Sequence, residues 1–104
     1  MPEIRYFKKK PFAVPMLEYT GRNVLQVQEF TGPFSAVPDP ELPIYKFQLR
    51  KHMDEDRTAE VYNTEELAWI PCPVGHFVAK GANGEFYPIS ADVLAKTYDE
   101  VEAP

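Results

Sequence analysis

Val74-Gly75-His76-Phe77-Val78-Ala79-Lys80-Gly81-Ala82-Asn83-Gly84-Glu85-Phe86-Tyr87-Pro88-Ile89-Ser90-Ala91-Asp92-Val93-Leu94-Ala95-Lys96-Thr97-Tyr98 is the stretch whose reading decides the fold. Phe77 to Lys80 is a short apolar strand. Gly81-Ala82-Asn83-Gly84 brings two glycines and an asparagine, the residues that accept a positive φ and close a hairpin. Glu85-Phe86-Tyr87 is the returning strand, and Pro88 is expected to end it, having no ladder N–H to donate. Ser90 is placed to cap a helix over Ser90 to Lys96, with Asp92 in its positive first turn. Thr97 to Val101 then returns as a final strand.

Working outward, Val74 is preceded by Pro71-Cys72-Pro73, expected to bend the chain into this hairpin. Leu67 to Ile70 and Thr58 to Asn63 are strands joined by a turn at Asn63-Thr64-Glu65-Glu66. Ile44 to Arg50 alternates, with Tyr45, Phe47 and Leu49 on one side and Lys46, Gln48 and Arg50 on the other, as in a half-buried antiparallel strand. Lys51 to Arg57 is a charged connection. Phe34 to Pro43 holds Pro38, Pro40 and Pro43 without periodicity, so residues 33–43 read as a proline-rich arm or loop, a place where binding specificity commonly sits. A helix over Asn23 to Phe30 presents Val24, Val27 and Phe30 at helical spacing and stops at Thr31-Gly32-Pro33. Glu3 to Tyr19 is extended, and Pro11 and Pro15 push it toward a sheet edge or an irregular strand.

At 104 residues the chain is expected to form a single domain, 1–104, with one modest core. The aromatic share of 13% suits bulky rings on strands, while eleven prolines limit long helices. The fold expected is α+β: a small, mainly antiparallel, bent sheet or partial barrel with two short helices. The net charge of −5 opposes general nucleic-acid binding, which needs a basic face. A single cysteine cannot form an internal disulfide and suits a reducing cytoplasm. The sequence shows no charged-then-apolar leader and no apolar run of membrane-spanning length, so neither a signal peptide nor a membrane partner is expected.

Chemistry-bearing residues form no convincing constellation. His52, Asp54, Glu55 and Asp56 lack the central glycine and the length of a calcium loop. Cys72 and His76 supply two ligands where zinc wants three or four, and Pro73 denies Cys72 the helix start that activates a nucleophilic thiol. Glu85 and Asp92 are a carboxylate pair of a common kind. Gly81 and Gly84 belong to a hairpin, not to a phosphate loop. Neither a metal nor a cofactor is expected, and the chain does not read as an enzyme. The candidate binding residues are the lysines of the first turn, Lys8, Lys9 and Lys10, beside Tyr6 and Phe7; Phe34 of the proline-rich arm; and Lys80 with Tyr87, near Phe77 and Phe86, as a mouth for a small anionic ligand.

The closing stretch resembles a family of small bacteriophage and prophage proteins that begin with a K-K-P strand and end with G-D-W-I-x-K-G-x-x-G-E-F-Y-P-x-x-x-D-x-F-x-x-T-Y-E. Gly75, Lys80, Gly81, Gly84, Glu85, Phe86, Tyr87, Pro88, Asp92, Thr97 and Tyr98 fall on that pattern, as do Lys8-Lys9-Lys10-Pro11 and Leu17 to Gly21 near the start. His76-Phe77 replaces its Asp-Trp, Leu94 its Phe, and Phe34 to Glu66 is unmatched. The resemblance implies a phage protein in the bacterial host cytoplasm and brings no activity with it. It implies an accessory protein that binds a host factor, either inhibiting a host or defence protein or sequestering a small anionic ligand. The alternative is a minor virion or assembly protein of the particle. Expected partners are thus a host or phage protein, with a homo-oligomer as a further possibility.

Overall fold

A computed structural model describes residues 2–9, 12–34, 44–49 and 57–102. The chain runs β1 (Arg5–Lys9), β2 (Phe12–Glu18), α1 (Val24–Thr31), β3 (Phe47–Leu49), β4 (Ala59–Asn63), β5 (Ala68–Cys72), β6 (Phe77–Lys80), β7 (Phe86–Ile89), α2 (Ala91–Thr97) and β8 (Asp99–Val101). All strand pairs are antiparallel, in a five-stranded sheet of order β7-β6-β2-β1-β8 and a three-stranded sheet of order β3-β4-β5. This is the α+β architecture expected, with the strands divided between two sheets.

Alternation along the strands explains the division. Met16 and Leu17, then Phe77, Val78 and Ala79, point to opposite faces of the five-stranded sheet, and all are buried. One face contributes Leu17, Val78 and Phe86 to a core shared with Phe47, Ala59, Val61 and Cys72 of the small sheet and Val27 of α1. The other face contributes Phe7, Met16, Phe77, Ala79 and Ile89 to a second core, which Leu94 of α2 covers. Each core holds edge-to-face rings: Tyr19 on Phe47 at 5.0 Å, Phe30 on Phe86 at 5.6 Å, and Phe7 on Phe77 at 5.9 Å.

Two buried asparagines hold the joints. The Asn23 Nδ2 donates to the Glu18 carbonyl at 2.7 Å and to Gln26 Oε1 at 3.1 Å. Its Oδ1 accepts from the Thr20 N–H and hydroxyl. It therefore braces the β2–α1 corner instead of capping the helix with its side chain. Asn63, at the end of β4, donates to the Phe86 carbonyl at 2.9 Å, while its Oδ1 accepts from the N–H groups of Glu65 and Glu66. α2 begins as expected, with the Ser90 hydroxyl accepting from the Val93 N–H at 3.2 Å.

Three prolines depart from the sequence reading. Pro88 does not end its strand: β7 continues to Ile89, because β7 lies at the sheet edge, where a missing N–H removes nothing from the ladder. Pro71 likewise lies within β5, the edge of the small sheet, and the bend comes after Cys72. Pro15 lies in β2, an interior strand, but β6 pairs with β2 only from Met16 to Glu18, so β2 has a single neighbour at Pro15. β3 begins at Phe47 rather than Ile44, while Tyr45 forms a bridge to Pro33. Lys10, Pro11, Arg50, His52, Asp54, Glu55, Asp56 and the arm from Ser35 to Pro43 lie outside the described residues.

Candidate functional site

The outward face of the small sheet is where the chain breaks the usual burial pattern. In β4, Ala59, Val61 and Asn63 point inward, so Tyr62 points out. Its partner across the ladder is Trp69 of β5, which alternates with the inward Ile70 and Cys72. Phe34 completes the group. The Phe34 N–H donates to the Ile44 carbonyl at 2.8 Å and the Lys46 N–H to the Gly32 carbonyl at 3.0 Å, which lays residues 32–34 alongside 44–46 as an extension of the sheet. Phe34 stacks on Trp69 with ring planes 9° apart and centroids at 5.8 Å, and Tyr62 stands edge-on to both, at 4.7 Å and 5.4 Å.

These rings form a surface group. Phe34 is 40% exposed and Ile44 beside it 50%. Neither the Tyr62 hydroxyl nor the Trp69 indole N–H hydrogen-bonds to another group among the described residues. The turn above them carries Glu65 and Glu66, both exposed, followed by Leu67, which is 75% exposed with φ 53°. A leucine in the left-handed region costs about 1 kcal/mol relative to an ordinary conformation. Exposed and strained together, it violates two folding preferences at one position, the pattern that accompanies functional surfaces. Lys46 pairs with Tyr62 through the main chain at 2.7 Å, yet its ammonium lies 5.5 Å from the Phe86 ring centroid, toward the core side.

Of the residues singled out from the sequence, Phe34 joins this group. Lys8 and Lys9 lie in β1, opposite Ala13 and Phe12, with their side chains outside the description. Lys80 and Tyr87 are not brought together. Lys80 pairs with Phe86 and sits over its ring at 5.9 Å, on one face. Tyr87 pairs with Ala79 and joins the second core on the opposite face, beside Tyr98; burial first, then the neighbouring Tyr98, raises its phenol above the ordinary range. The Lys80–Tyr87 mouth for an anion is thus not formed.

Gly81, Asn83 and Glu85 hold the shape of the closing hairpin. The Glu85 carboxylate folds back over Gly81, accepts from the Asn83 N–H at 2.9 Å and occupies the space a Gly81 side chain would need. Asn83 in turn donates to Glu65 at 2.9 Å, latching the hairpin to the β4–β5 turn. Cys72 is fully buried, and burial pushes its thiol up to about 12, the reverse of nucleophile activation.

The sequence reading passed over Tyr62, Trp69 and Leu67. Tyr62 and Trp69 fall out of phase with the apolar residues of their own strands, which was the available signal. No family model, no curated protein and no solved structure matches this chain.

Proposed function

We propose that this chain is a non-catalytic accessory protein of bacteriophage origin that binds a host protein through the Phe34–Tyr62–Trp69 face. The observation that carries the binding reading is the outward ring group, with Phe34 40% exposed, the Tyr62 and Trp69 donors unbonded among the described residues and the strained Leu67 beside it. Aromatic side chains with one polar tip dominate protein–protein contacts because they bury large area at small entropic cost. The buried Cys72, its thiol pushed up by burial, offers no activated nucleophile, in keeping with a non-catalytic role. The phage and host parts rest on the resemblance of the closing hairpin to small phage proteins.

Strand addition is a poor route to a partner here. Of the four sheet edges among the described residues, β5 and β7 each contain a proline, β8 is three residues long and begins with two carboxylates, and β3 is three residues long with its Phe47 carbonyl already accepting from Gln28 of α1. Binding through a face is the better-supported mode.

The test is capture from infected bacterial lysate with the tagged chain and with its Phe34→Ala and Trp69→Ala variants, each first shown to be folded by circular dichroism. One host protein retained in stoichiometric amount by the wild type and lost by both variants is the expected result. Equal capture by all three moves the contact elsewhere on the molecule. Recovery with capsid or tail proteins alone replaces this reading with a particle component.

A further inference from the structure

The chemistry of the ring group narrows the partner. We infer that the face takes an extended, proline-rich segment carrying Lys or Arg; this rests on the reading of the face as a protein-binding surface. A polyproline II segment makes no internal hydrogen bonds, so its carbonyls seek donors outside the segment. The face carries two such donors, the Tyr62 hydroxyl and the Trp69 indole N–H, neither bonded to another group among the described residues, beside rings against which pyrrolidine rings can pack. Phe34 and Trp69 present near-parallel planes, and Tyr62 stands across them as an edge, so the surface is ridged rather than flat. Ridged aromatic surfaces suit a three-residue-per-turn helix better than they suit a globular surface.

Charge selects among such segments. Glu65 and Glu66 lie in the turn directly beyond the Tyr62–Trp69 pair, and the Lys46 ammonium lies toward the Phe86 ring instead of over this face. An acidic rim beside aromatic faces favours a cation, which gains both the carboxylates and the ring quadrupole of Trp69. The same carboxylates repel a phosphate backbone, so single-stranded nucleic acid, the other common occupant of ring surfaces, is disfavoured.

Trp69 is the sole tryptophan and reports directly on its own face. The experiment titrates the folded chain with a short synthetic peptide of repeated proline-proline-arginine and follows indole emission. A glycine-serine-arginine peptide of equal length and charge is the control, and a thymidine oligonucleotide is the third probe. The proline peptide is expected to give a saturable change that the glycine-serine peptide does not. Phe34→Ala is expected to weaken binding by about tenfold or more, as for a central aromatic contact. Tyr62→Phe, which keeps the ring and removes only the donor, is expected to weaken it by a smaller factor. Equal responses to both peptides would reduce the effect to charge and overturn the inference. So would saturation by the oligonucleotide alone, a silent titration, or concentration-dependent dimerisation that Phe34→Ala abolishes. If the titration is silent while Phe34→Ala still loses a captured host protein, the proline-rich inference falls and the protein-binding reading stands.

Discussion

The buried side chain of Asn63 on β4 donates to the main-chain oxygen of Phe86 on β7 at 2.9 Å, so one amide joins the three-stranded sheet to the five-stranded one. The same side chain accepts two N–H groups of the turn that leads to Trp69. Asn63→Ala leaves the Phe86 carbonyl unsatisfied in a buried place and frees the turn. The expected loss is about 2 kcal/mol, read as a lower urea midpoint with an unchanged slope.

Gly81 and Glu85 form a coupled pair. A Cβ on Gly81 would lie 1.7 Å from Glu85 Oε1, so Gly81→Ala must expel that carboxylate and lose its bond from the Asn83 N–H. Glu85→Ala removes the obstacle beforehand. In a double-mutant cycle, Gly81→Ala is expected to cost about 1 kcal/mol or more in the wild type and clearly less in the Glu85→Ala background. Additive effects would show that the carboxylate does not hold the turn.

Leu67 separates stability from binding. Its φ of 53° suits glycine, so Leu67→Gly is expected to raise folding stability by up to about 1 kcal/mol, less the extra freedom glycine has in the unfolded chain. The same change removes a leucine that is 75% exposed beside the ring group. Weaker host-protein capture by a more stable variant is the expected combination, and melting temperature with quantitative pull-down reads both.

The β1–β8 edge supplies a pH dependence. Arg5 grips Glu100 through two hydrogen bonds, Nη2 at 2.7 Å and Nε at 3.1 Å, and this holds the Glu100 carboxyl below the usual carboxylate range. A carboxylate with a lowered folded pKa contributes stability that is present above its unfolded pKa and lost as pH falls through the folded one. Both side chains are more than 40% exposed, so the contribution is small and screened by salt. The gap in urea midpoint between wild type and Glu100→Gln is expected to be largest at neutral pH and low salt. It closes in acid or in concentrated salt.

Much of the fold is legible from local code. The Phe77–Lys80 strand, the glycine-asparagine turn, the Ser90 cap and the Val24/Val27/Phe30 stripe all follow from side-chain period and turn chemistry. The sequence reads Pro71 and Pro88 as breaks and Pro15 as a mark of an edge or irregular strand, because proline's missing donor is a local fact, whereas its cost depends on which strands have neighbours there. That is settled by pairings between distant segments, such as Val78 with Pro88 and Glu60 with Pro71. The candidate site is legible only in Phe34, which stands at the start of a proline-rich arm. Tyr62 and Trp69 look like core rings until the small sheet's inner face is known, and the packing of Val61 and Cys72 against Leu17 and Val78 decides that face.

The prolines on the outer strands have a consequence for the protein in bulk. Strand-by-strand stacking between molecules needs a run of free donors along a rim, and Pro71 and Pro88 interrupt two such rims, while the third, β8, is only three residues long. On the β5 and β7 rims, a strand from a second copy would therefore meet a gap in the donor row at the proline.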